Sequence, residues 1–285
     1  MNPTKAERTT TTVWAPPRGA MTDAGGLAVR TLGTTGSPIL LLHGLVGSGQ
    51  YWGAAYDAMA DHHLLVVPDL LGFGRSPRPA TGYAPDDHAN AVVACLDALG
   101  IDDPVTIGAH SLGGLIALRL AASHPGRVAG IVAFGPPLYP DPKVARAHIA
   151  GTGTMGRLMV LPGPIAHAAC AWVCRHRRLA ARLAVRAHPE LPAAIAADGV
   201  QHTWASYSQT LKHVLLAADG ARWLDELTAP MRLVAGASDP VVDLEFLRRI
   251  AEQHANVHLD VWAGGHNLPL LRADDCAAVI ADQAH

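Results

Sequence analysis

Hydrophobic positions along this chain gather into short unbroken runs, and segments with helical spacing lie between them. Ile39-Leu40-Leu41-Leu42, Leu64-Leu65-Val66-Val67, Val105 to Gly108, Ile131-Val132-Ala133-Phe134, Met231 to Ala235 and Val257 to Trp262 are each four to six residues long. A run with no polar alternation predicts a strand covered on both faces. Leu27 to Leu32 alternates more, as an edge strand does. Between the runs, Ala89 to Leu99 places Val92, Val93, Leu96 and Leu99 on one helical face, with Asp86 or Asp87 in position to cap it. Leu112 to Ala122 predicts a second helix, stopped by His124-Pro125-Gly126. Leu244 to Gln253 and Leu270 to Ala281 predict two more.

Strands alternating with helices predict an α/β fold, a mostly parallel sheet flanked by helices on both faces. A ligand site in such a fold lies beyond the carboxyl ends of the strands. The alternation lapses over residues 138–226, which read as several helices rich in Ala, Leu, Arg and His. That length exceeds a plain loop and predicts a helical cap inserted over the sheet edge. The core is then 21–137 together with 227–285. Residues 1–20 read as a flexible leader, because Lys5 and Arg8 precede Thr9 to Thr12 and Pro16-Pro17, not the apolar segment of a secretion signal.

Composition narrows the classes. Of 285 residues, 49% are hydrophobic and 16% charged, enough to build a large core and too apolar for disorder. A net charge of −2 argues against nucleic acid as a partner. The longest apolar stretch, Leu158 to Val173, is broken by Pro162 and Pro164, so no stable membrane insertion is expected. Cys95, Cys170, Cys174 and Cys276 have no zinc spacing, and no metal site is expected. Cys170 and Cys174 stand one helical turn apart, which suits a shared buried face more than a disulfide. Reduced thiols imply a cytoplasmic protein.

The chemistry concentrates at predicted strand ends. Gly108-Ala109-His110-Ser111-Leu112-Gly113-Gly114 is a strand, a sharp turn and a helix with serine at the apex. Small neighbours suit a strained turn that lifts a hydroxyl clear of the sheet. The first buried strand ends in His43-Gly44-Leu45-Val46-Gly47, a loop able to aim backbone N–H groups at a developing oxyanion. Leu45 is the best-placed donor there, and Leu112, just after the serine, is the second. Asp69 and Arg75, in the loop Pro68 to Ser76, read as a structural ion pair. Asp239 follows the strand ending at Gly236, and His266 follows Gly264-Gly265 after the last strand. Ser111, Asp239 and His266 form a candidate nucleophile, acid and base.

These motifs resemble those of the α/β-hydrolase superfamily over roughly residues 25–282. His43-Gly44 matches its oxyanion loop, Asp69 to Ser76 the following loop, Ala109 to Gly113 its nucleophile elbow, and 138–226 its cap domain. The resemblance implies a Ser-His-Asp triad, an acyl-enzyme and no cofactor. Serine at 111 sets the chain apart from the branches with aspartate there, the haloalkane dehalogenases and epoxide hydrolases. Ala109 departs from the usual glycine. The loop His43 to Gly47 lacks the proline found in cofactor-free haloperoxidases and C–C bond hydrolases.

The expected function is hydrolysis of a carboxylic ester or related acyl bond in a small to medium apolar molecule. Leu158, Met159, Val160, Leu161, Trp172 and Trp204 make the cap apolar, and His43, His110, Trp204 and Tyr207 are candidate substrate contacts. C–C bond cleavage with the same triad and a slow-turnover ligand receptor are the alternatives. Arg175, Arg177, Arg178, Arg182 and Arg186 have the spacing of a solvated helix face, with attraction of acidic lipids or a carrier protein as the alternative. Oligomeric state is not readable.

Overall fold

The computed structural model describes residues 13–152, 157, 160 and 163–284. Eight strands form one sheet: β1 (Thr22–Ala24), β2 (Leu27–Leu32), β3 (Pro38–Leu42), β4 (Leu64–Pro68), β5 (Val105–His110), β6 (Val128–Phe134), β7 (Met231–Gly236) and β8 (Val257–Trp262). Their order is β1-β2-β4-β3-β5-β6-β7-β8. The β1–β2 and β2–β4 pairs are antiparallel and the rest parallel. The helices of the core are α1 (Pro85–Ala98) and α2 (Leu112–Ser123). Between β6 and β7 lie α3 (Pro142–Gly151), α4 (Pro164–Arg175), α5 (Arg177–Ala187), α6 (Ala193–Asp198), α7 (Trp204–Thr210) and α8 (Gly220–Asp225). The chain closes with α9 (Leu244–Gln253), α10 (Leu268–Leu271) and α11 (Ala273–Gln283).

Each apolar run but the last is a strand because both of its faces are covered; the run Val257–Trp262, expected to be covered as well, is the edge strand β8, where His258 and Val261 are exposed. In β3, Leu40 and Leu42 join the core beneath α1 and α2, while Ile39 and Leu41 join the opposite core with Trp52, Tyr56, Cys276 and Ile280. Polar side chains on either face would lose their hydration, so the pattern shows no alternation. The elbow strand β5 sits between β3 and β6, at the centre of the sheet.

Several expectations need correction. β2 is not an edge: Gly25-Gly26, both at positive φ, turn the chain back and add β1 outside it. Its polar Arg30 is buried and pairs with buried Asp57 at 2.6 Å. α1 begins at Pro85, one turn before the apolar spacing, and the Asp87 carboxylate accepts the Ala84 amide at 2.8 Å. The last helix is interrupted at Arg272 into α10 and α11. Residues 14–18 are tied to the core: the Ala54 amide donates to the Ala15 carbonyl, and the Arg18 amide to Asp57. The expected leader residues before 13 lie outside the described residues.

The segment between β6 and β7 is only partly separate from the core. Leu138, Tyr139, Ala145, Ile149, Leu211, Val214, Leu215 and Leu216 at its two ends pack into the core of α1 and α2. Its middle helices bury little, one residue each in α4, α5 and α6. Cys170 is buried on α4, while partly exposed Cys174 donates to the His202 carbonyl at 3.3 Å.

His88 of α1 joins this segment to the core, its Nε2 lying 3.1 Å from the Thr210 hydroxyl. Burial pushes the imidazole down to about 4, against the pull of Asp87. Between that value and the ordinary 6.5, the unfolded chain binds a proton that the folded chain does not, so stability falls as pH drops through this window. At pH 5 the loss is about 2 kcal/mol. In urea unfolding at pH 7 and pH 5, His88→Gln should lose less stability than the parent; equal losses would contradict the assignment.

Candidate active site

Ser111 alone forms the turn between β5 and α2, with φ +52° and ψ −120°. An L-residue held there stores roughly 1–3 kcal/mol, tolerated only where the surroundings enforce it. Here the Ser111 amide donates to the Phe134 carbonyl of β6 at 2.9 Å, and the Gly114 amide closes onto the Ser111 carbonyl at 2.9 Å. A Cβ on Gly113 would stand 2.6 Å from the Leu42 carbonyl oxygen and 2.8 Å from that of His43, so only glycine lets α2 leave this close to β3. The methyl of Ala109 is accommodated in the core on the α1 and α2 side.

The loops after β7 and β8 meet at this serine. His266 Nε2 is 3.0 Å from Ser111 Oγ, and His266 Nδ1 is 2.8 Å from Asp239 Oδ2. An ionised carboxylate only accepts, so the ring proton sits on Nδ1 and leaves Nε2 free to accept from the serine hydroxyl. The other oxygen of Asp239 accepts the Val241 amide at 2.8 Å. Tyr139, at the start of the helical segment, donates to the Val241 carbonyl at 2.5 Å and steadies the same loop.

His110 and His43 hold the frame. His110 Nε2 donates to the His266 carbonyl at 3.0 Å, and its ring stacks on Tyr51 with centroids 4.5 Å apart. The Tyr51 hydroxyl donates to Asn267 at 3.4 Å, so both rings brace the loop that carries His266. Burial, and then the neighbouring His266, keeps the His110 pKa well below its ordinary value, so this imidazole is neutral. His43 is fully buried, accepting the Leu70 amide at Nε2 (2.9 Å) and donating from Nδ1 to the Gly44 carbonyl (2.8 Å). Burial lowers its pKa more than nearby Asp69 raises it. Both ring nitrogens of His43 are therefore committed to the backbone.

Gly44 leads the glycine loop directly against Ser111, where a Cβ would lie 3.3 Å from the serine Cβ. The Gly47 amide returns to the Gly44 carbonyl at 3.2 Å, with Val46 at φ +54°. The Leu112 amide opens α2 and has no intrahelical acceptor. Asp69 locks the next loop, but not through the Arg75 guanidinium: its carboxylate accepts the backbone amides of Gly49 and Arg75, each at 2.7 Å. Backbone amides hold a loop without fixing a long side chain, at a smaller entropic cost.

Trp204 and Tyr207 pack within the helical segment. Trp204 lies 5.3 Å from the His167 ring and 6.2 Å from Tyr207, and Tyr207 lies 5.5 Å from His202. Arg177 is not on a solvated face: it donates to the Val200 and His202 carbonyls at 3.0 and 2.9 Å. Sequence reasoning missed Asp198 at the end of α6, which accepts from Ser48 and Gln50 just beyond the glycine loop. It also missed Gly135. A Cβ there would stand 2.9 Å from Asp239 Oδ2 and 3.1 Å from His266 Nδ1, at φ +57°. A glycine directly after an apolar strand run is its signal.

A serine on a strained strand–helix turn, served by loops from two later parallel strands, defines a class of protein. The family model for the alpha/beta hydrolase fold matches residues 37–273, and the chain belongs to that family. It is 31% identical over 243 residues to a candidate carbamate hydrolase, RutD, of Variovorax paradoxus, covering 81% of this chain and 85% of the other. The solved structure of E-2-(acetamidomethylene)succinate hydrolase is similar with a TM-score of 0.71 and 19% identity, over 90% of this chain and 94% of that one. The esterase EaEST of Exiguobacterium antarcticum gives a TM-score of 0.70 and 20% identity, over 94% and 99%. These two likenesses show the shared fold. No helix among the described residues is long and apolar enough to cross a membrane.

Gly135→Ala should destabilise the chain by about 2 kcal/mol or more, since it adds positive-φ strain and a clash at the Asp239–His266 hydrogen bond. Urea unfolding checks this; an unchanged midpoint would show that the loop relaxes freely.

Proposed function

We propose that this protein hydrolyses carboxylic esters, or related acyl bonds, of small to medium apolar molecules through Ser111, His266 and Asp239. The observation that carries this reading is the unbroken hydrogen-bond chain from Asp239 through His266 to Ser111. His266 takes the serine proton as Oγ attacks the substrate carbonyl, because a free hydroxyl is a weak nucleophile near neutral pH. The amides of Leu45 and Leu112 hold the oxyanion of the tetrahedral intermediate, each worth roughly 2.7–4 kcal/mol at the transition state. His266 then gives its proton to the leaving alcohol, and the acyl group stays on Ser111. Water, deprotonated by His266, attacks the acyl-enzyme, and as the acid is released His266 returns the proton to Ser111 Oγ. Asp239 stabilises the imidazolium that forms in both halves.

Residues 138–226 form the cap, and within it the aromatic cluster of Trp204 and Tyr207 selects the substrate with an apolar lining. His43 and His110 serve the site by holding the loops of Leu45 and His266. The similarity to a candidate carbamate hydrolase favours a second reading, a carbamate carbonyl in place of an ester at the same serine.

Activated p-nitrophenyl esters of short and medium acyl chains test the proposal beside a matched aryl carbamate. Ester turnover should exceed carbamate turnover, and Ser111→Ala should lower it at least ~10³-fold. Full turnover in that variant would contradict the mechanism, and carbamate preference would select the second reading.

A further inference from the structure

Charge in this chain is strongly segregated. Residues 142–189 hold eight lysines and arginines and no aspartate or glutamate, which leaves 14 cations against 24 acids in the rest. The excess is concentrated on α4 and α5, which are joined through the single residue His176. On α5, Arg178, Arg182 and Arg186 follow one another at four-residue spacing and therefore form one exposed row. Among the described residues none of the three makes an ion pair or a side-chain hydrogen bond. Arg177, on the inner side of the same helix, is engaged with the 200–202 backbone.

The same two helices expose large apolar side chains. Leu179 and Leu183 form the neighbouring row on α5, 48% and 46% exposed. On α4, Ile165 and Trp172 lie two turns apart and are 74% and 43% exposed. Four of the seven large apolar residues exposed among the described residues thus fall on these two consecutive helices. In water such residues are unfavourable unless something covers them.

We propose that the outer face of α4 and α5 docks on an anionic lipid surface. An arginine row beside a leucine row suits a bilayer interface, with guanidinium groups at the headgroup phosphates and the apolar side chains pressed between the headgroups. Trp172 belongs to the residue type that prefers that boundary. The absence of acidic residues from 142–189 removes the repulsion an anionic surface would otherwise meet. A second copy of this chain docked face to face would bring arginine against arginine, which disfavours self-association through this patch. Docking holds the protein on the surface without crossing it, and places the helical segment beside any apolar molecule dissolved there.

The test is co-sedimentation of the full chain with phosphatidylcholine vesicles, with and without phosphatidylglycerol. The protein should sediment with the anionic vesicles, stay in solution with the neutral ones, and be released at about 0.5 M salt, where screening is strong. The triple variant R178E/R182E/R186E and the double variant L179S/L183S should each lower partitioning at least ~tenfold. All five positions are exposed, so turnover of a water-soluble ester by both variants should match the parent. Failure of the parent to bind anionic vesicles would overturn the proposal, as would parental binding by both variants. Binding of an acidic carrier protein without vesicle binding would overturn it in favour of a protein partner. A dimer that dissociates on L179S/L183S would overturn it in favour of self-association.

Discussion

Everything at this site depends on one residue being held where its backbone does not prefer to be. Ser111 occupies a left-handed, extended conformation that a non-glycine residue rarely adopts. It stays there because β5 and α2 are both pinned: β5 lies between β3 and β6, and α2 presses so closely on the end of β3 that Gly113 tolerates no side chain. The strain is balanced by the core, since β5 is buried throughout and α2 buries nine of its twelve residues. Relaxing the turn would require moving the centre of the sheet.

Around that point, proton positions are set by the backbone. His43 accepts from one amide and donates to one carbonyl, and His110 donates to the carbonyl of His266. Burial keeps these two imidazoles neutral, and their backbone bonds fix the orientation of the rings. His266 differs because its Nδ1 faces a carboxylate and its Nε2 a hydroxyl. In the proposed mechanism it is therefore the one that carries the proton. The three histidines are distinguished by what faces each nitrogen, and residue type alone does not reveal that.

The fold was legible because its central strands, β3 to β7, are covered on both faces, which turns burial into nearly unbroken apolar runs. β1 escaped notice since three residues joined by a glycine turn leave almost no pattern. The serine, aspartate and histidine were legible because each follows a strand end, where chain order and topology coincide. Asp198 was not: it reaches Ser48 and Gln50 across 150 residues of sequence, from a helix whose spacing carries no such information. Gly135 was hidden for a different reason. Its contribution is the space it leaves for the Asp239–His266 contact, and a missing side chain has no periodicity. The arginine run was read as one solvated face, whereas the helix turns Arg177 inward and leaves Arg178, Arg182 and Arg186 outside.

The central claim is that backbone strain and His266 together make Ser111 the nucleophile. Reaction with a fluorophosphonate, followed by peptide mapping in a mass spectrometer, tests this most directly. The account predicts one phosphonylated serine, Ser111, and loss of the label in His266→Ala. Label on another serine, or undiminished labelling of Ser111 without His266, would contradict it.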